Sequence, residues 1–117
     1  MSRSGWHILK DDTGLTLCRH LPPRFDFVVY TVLPGGQALR LAHQIRQDLW
    51  RALQTLRGFS PVVRLEWIAE CWHVMAGGRV LGPVTEAMVA TAEDVLNSRR
   101  NRARWVNAAR MTGQWSQ

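Results

Sequence analysis

Residues 37–57 read QALRLAHQIRQDLWRALQTLR, and this stretch decides the fold. Ala38, Leu41, Ala42, Ile45, Leu49, Ala52, Leu53 and Leu56 recur at helical spacing, so one broad stripe is apolar and must be buried. Arg40, Gln44, Gln47, Arg51 and Thr55 fall on the other side, as a solvated face does. Gly58 stands where a glycine ending a helix belongs.

Outward from this helix the pattern changes to strands. Residues 25–33, FDFVVYTVL, are β-branched and aromatic and apolar on both faces, which predicts a central strand ended by Pro34-Gly35-Gly36. Before it, residues 6–10 and 15–20 read as short strands joined by the turn Asp11-Asp12-Thr13-Gly14, and Pro22-Pro23 breaks the chain. After the helix, residues 61–68 alternate, with Val63, Leu65 and Trp67 on one face and Arg64 and Glu66 on the other. Residues 71–76 form another strand, with Trp72 and Val74 on one face. Gly77-Gly78 predicts a turn into a short strand at 79–81. Gly82-Pro83 opens a second helix lined by Val84, Ala87, Met88, Thr91, Ala92, Val95 and Leu96. From Ser98 the chain either continues that helix or forms a third, and residues after 112 are expected to fray.

The predicted fold is α+β: a single small domain with a mostly antiparallel sheet of about five strands on one long amphipathic helix, and one or two C-terminal helices. The unit from Phe25 through the helix to Trp67 also allows a right-handed β-α-β crossover. Residues 1–97 read as the core domain and 98–117 as an arginine-rich helical segment.

That segment dominates the charge. Arg99, Arg100, Arg102, Arg104 and Arg110 lie in it with no acid, so it carries +5 of the formal +6, and residues 1–97 carry only +1. A local arginine block meets phosphate or acidic protein surface, with Trp105 placed to stack on a base. Five phosphate contacts predict a salt slope of about −3.5 on single strands. The bland alternative is equally physical: cations near a helix C-terminus complement its dipole.

Cys18-Arg19-His20 and Cys71-Trp72-His73 repeat one pattern. On strands, each Cys and His shares a face, and if the two strands were neighbours Cys18, His20, Cys71 and His73 would form a Cys₂His₂ set for zinc. The single-residue spacing is unlike that of structural zinc sites, so the expectation is no cofactor, with zinc as the exception. Cys71 with His20 or His73, oriented by Asp26, is the one nucleophile arrangement to state, and no phosphate loop, nucleophile elbow or HExxH accompanies it. Catalysis is not expected.

Six tryptophans are many for 117 residues. Trp67 and Trp72 are expected in the core. Trp50 flanks the helix stripe, and Leu39, Arg46, Trp50 and Arg57 have the composition of an interface for a partner or a second copy. No secretory signal or membrane span is visible, so a cytoplasmic location with reduced cysteines is expected. The expected role is non-catalytic binding of nucleic acid or an acidic protein through the C-terminal arginines. The alternatives are an interaction subunit using the Trp50 face and a zinc-stabilised module.

Overall fold

The computed structural model describes residues 5–113, with side chains described for residues 5–110. The expected fraying falls mainly on residues outside that range. The elements run β1 (His7–Lys10), β2 (Gly14–Cys18), β3 (Phe27–Leu33), α1 (Ala38–Leu53), β4 (Ser60–Ile68), β5 (Cys71–Arg79), α2 (Glu86–Asn97) and α3 (Arg99–Gly113). The five strands form one sheet in the order β1-β2-β4-β5-β3, and every neighbouring pair is antiparallel. The α+β class, the antiparallel sheet and the packing of helices on it are as expected from the sequence.

Local chemistry explains the joints. Asp11 Oδ1 accepts from the backbone N–H of Thr13 and Gly14, both at 3.0 Å, and closes the β1–β2 turn. Gly14 is required by space, because a Cβ there would lie 1.8 Å from the Leu65 carbonyl oxygen on β4. The β4–β5 hairpin turns on Ala69 and Glu70, with φ of 53° and 62°. Two successive left-handed residues make the type I′ geometry that fits the strand twist.

β3, α1 and β4 form a split β-α-β unit: both strands run antiparallel to β5 and so parallel to each other, with β5 inserted between them. Gly77-Gly78 does not turn. It lies within β5, opposite Val28 and Phe27 of β3, and a Cβ at Gly77 would come 2.1 Å from the Phe27 carbonyl oxygen. The glycines permit close approach of two backbones, and no separate strand at 79–81 forms.

Helix α1 starts at Gln37, whose side chain accepts from Arg40 N–H at 2.7 Å. It ends at Leu53, so Gly58 sits in the following turn and not at the helix terminus. Thr85 caps α2, accepting from Met88 N–H at 3.2 Å, so Pro83 precedes the helix. Ser98 breaks α2 from α3 and caps the latter through Asn101 N–H at 3.2 Å.

One core joins all three helices to one sheet face. Leu15, Leu17, Val63, Leu65, Val74 and Ala76 meet Leu41, Ile45 and Leu49 of α1, Ala92 and Leu96 of α2, and Trp105 and Ala109 of α3. The last two are fully buried. Helix α3, which makes up most of the arginine-rich segment, thus shares its core with the sheet and α1. Trp67 also departs from expectation. It is 45 % exposed at the end of β4 and meets Trp72 edge-on at 4.8 Å, while Trp72 is half-buried and donates to the Gly36 carbonyl. Among the described residues, no helix is long and apolar enough to cross a membrane.

Candidate functional site

Arg46 and Trp50 are one helical turn apart on α1, so they sit side by side at the margin of its buried stripe. They face the end of β2 and the start of β4. Together with Trp6, Arg19, His20, Phe59, Ser60 and Pro61 they enclose a cavity of about 340 Å3. That is the size of a small-ligand pocket.

The floor is aromatic. Trp50 stacks on Phe59 with ring centres 6.2 Å apart and planes 7° apart, and Phe59 in turn stacks on Phe27 at 6.1 Å. Trp50 remains 42 % exposed. The wall is cationic. The Arg46 guanidinium carbon lies 4.6 Å from the Trp6 ring centre, and that of Arg19 lies 5.4 Å from it. The indole attracts both cations, and no carboxylate among the described residues lines the pocket to balance them.

Arg46 Nη2 lies 3.0 Å from His43 Nδ1. Burial, and secondarily Arg46, hold the His43 imidazole below its ordinary range, which suits a neutral ring accepting at Nδ1. Burial, and then the charge of Arg19, lower the pKa of Arg46 from its own ordinary value. Arg46 Nε and Ser60 Oγ are buried with no hydrogen-bond partner among the described residues. Ser60 is 8 % exposed. Both orphaned atoms belong to residues that line this one pocket. Buried polar groups without partners are costly and uncommon, and here two of them lie at one pocket.

A smaller cavity of about 190 Å3 adjoins it, sharing His20 and Ser60 and adding Arg24, Gly58, Arg79, Val80 and Leu81. Arg24 is committed to Asp26 through a two-point pair at 2.9 and 3.0 Å, and Asp26 also accepts from Val80 N–H at 2.9 Å. The Arg24 hydrogen bond, more than any other contact, keeps the Asp26 carboxyl below the usual carboxylate range. Arg79 is half-buried; its side chain makes no hydrogen bond or close ion pair among the described residues, though its charge also helps lower Asp26.

The residues singled out in the sequence scatter differently. Arg46 and Trp50 share the pocket, but Leu39 packs against the core and Arg57 is exposed outside the pocket lining. Arg99, Arg100 and Arg110 are exposed. Arg102 reaches from α3 to the edge strand β3, donating to Thr31 Oγ1 and, at 2.7 Å, to the Val32 carbonyl. It also donates to the Leu96 carbonyl at 3.3 Å and so caps α2. Arg104 pairs with Asp48 at 3.0 Å. Trp105 is fully buried, with Nε1 donating to Asp48 Oδ2 at 2.6 Å, and has no ring face to offer a base. The arginine block is thus split between anchors and exposed cations.

Cys18, Cys71 and His73 lie on the sheet face opposite Leu17 and Val74, as the alternation requires. The two Cys-x-His pairs do not meet. Cys18 registers with Val62 of β4, whereas Cys71 and His73 register with Ile68 and Glu66. Four to six residues along a strand is about 13–20 Å. Among the described residues no three His, Cys, Asp or Glu groups cluster as metal ligands. Cys71 is likewise remote from His20, and Asp26 is held by Arg24 and Val80.

Sequence reasoning missed Trp6, Arg19 and the neighbouring pair Phe59 and Ser60, which come from three separate segments and share no local motif. No protein family, curated protein or solved structure matches this chain.

Proposed function

We propose that this protein is a non-catalytic binding protein whose site is the pocket between Trp6, Arg19, Arg46 and Trp50. Its ligand is an anion with a planar, stackable part. The observation that carries this reading is the pair of orphaned buried atoms, Arg46 Nε and Ser60 Oγ, at one cationic cavity. A desolvated guanidinium beside a second one is costly until an anion arrives, and the planar fork holds phosphate or carboxylate at two points. The half-exposed Trp50 ring offers a stacking surface beside it.

Calorimetric titration with a nucleoside monophosphate, inorganic phosphate and the bare nucleoside tests this. The monophosphate binds more tightly than either part, and Arg46→Gln weakens it about tenfold or more. Equal binding by Arg46→Gln, or none by the native protein, overturns the reading.

A second reading keeps the contact on α3. Arg99, Arg100 and Arg110 are exposed there without a partner among the described residues, and they suit an acidic protein surface. A pull-down that depends on Arg99 and Arg100 and not on Arg46 favours it. A cytoplasmic location goes with either reading and is consistent with Cys18 and Cys71 both being free thiols.

A further inference from the structure

A second cavity adjoins the first beside Ser60 and is lined by Arg79, whose guanidinium makes no hydrogen bond or close ion pair among the described residues and feels only the longer-range charge of Asp26. His20 and Ser60 line both spaces, so the two cavities are neighbours on the surface. We propose that the ligand is single-stranded nucleic acid, with a base stacked on Trp50, one phosphate taken by Arg46 and Arg19, and the next taken by Arg79. This rests on the anion-binding reading of the first pocket.

Three features favour this polymer. Its charges repeat along the chain with a flat ring between them, which matches guanidinium, aromatic face, guanidinium. Sequence-tolerant binders of single strands combine a positive groove with exposed aromatic rings in this way. Duplex is disfavoured, because its bases are already stacked on one another and cannot enter a cavity lined by Trp50 and Phe59. An acidic peptide supplies negative charge but no obligatory ring at each repeat. Arg24 is not counted as a phosphate ligand, since it is hydrogen-bonded to Asp26, whereas Arg79 acts on that carboxylate only through longer-range charge.

The test is calorimetric titration of the full chain with a mononucleotide, a dinucleotide, a tetranucleotide, a duplex and a polyglutamate peptide, repeated with Arg79→Gln. Arg79 is the half-buried last residue of β5 and is not in the core cluster, so the variant is expected to fold, which its melting curve checks. The tetranucleotide is expected to bind about tenfold or more tightly than the mononucleotide, because the second contact is intramolecular once the first is made. Arg79→Gln is expected to remove that gain, leave mononucleotide binding unchanged and lower the salt slope by about 0.7. Length-independent binding, or an Arg79→Gln protein that keeps the gain, overturns the inference while the first pocket stands. Tighter binding of duplex or polyglutamate overturns it too. Absence of binding to every nucleotide, mononucleotide included, overturns the pocket reading itself.

Discussion

The indole of Trp105 donates to the buried side chain of Asp48 at 2.6 Å, and this bond fixes the C-terminal helix to α1. Asp48 also meets Arg104 at 3.0 Å and Arg51 at 3.3 Å, so one carboxylate gathers three donors. The segment richest in arginine is therefore a structural element first, and its exposed cations are a remainder.

Removal of residues 98–117 should unfold the protein. The truncation uncovers the core where Trp105 and Ala109 sit. Trp105→Ala alone is expected to cost about 3–5 kcal/mol, and Asp48→Ala about 1–3 kcal/mol for the unpaired donors it leaves. Urea denaturation followed by circular dichroism checks both. A cooperative native-like melt from the 1–97 fragment would contradict the single core.

The arginines of α3 should separate into two groups. Arg102→Gln loses its donors to Val32 and Leu96 and is expected to destabilise by about 1–3 kcal/mol. Arg99→Gln and Arg100→Gln touch nothing described and should stay within about 0.5 kcal/mol of the native protein. Chemical denaturation of the three variants decides it.

Gly14→Ala should be severe for so small a change. The added methyl falls 1.8 Å from the Leu65 carbonyl oxygen, which is backbone and cannot swing aside. A loss of about 1–3 kcal/mol or more is expected, read as a lower melting temperature.

His43 should make stability fall with mild acid. Its folded pKa lies below the ordinary 6.5, chiefly from burial and then from Arg46. The unfolded chain then binds more protons than the folded one below about pH 6.5, so stability drops as the pH falls through that value toward the lowered folded pKa. Denaturation midpoints between pH 7.5 and 5 should decline in the native protein and decline less in His43→Gln. Asp11 and Asp26, with carboxyls held below 3.8 chiefly by the Thr13 backbone and Arg24 respectively, add their losses only at lower pH.

The class of fold was legible because periodicity is written locally: the stripe of residues 37–57 allows one face to be buried, and the alternation Val63, Leu65 allows one strand face. Strand order was not legible. It depends on a hairpin at Ala69-Glu70, residues that carry no turn signal and adopt positive φ under tertiary constraint. Gly77-Gly78 carried a turn signal but serves close strand approach. In the tail, charge drew attention away from Trp105 and Ala109, whose four-residue spacing is itself a core signal. The pocket was half legible. Arg46 and Trp50 are neighbours on a helix, whereas Trp6, Arg19 and Ser60 join them only after the sheet has formed.

The most direct measurement is a nuclear magnetic resonance titration of the isotopically labelled protein with a short single-stranded oligonucleotide. The pocket assignment predicts that the indole N–H signals of Trp6 and Trp50 and the amides of Arg19 and Ser60 shift most, in a saturable manner lost in Arg46→Gln. Shifts confined to the exposed face of α3 around Arg99, Arg100 and Arg110, with the Trp6 and Trp50 indoles unmoved, would contradict it.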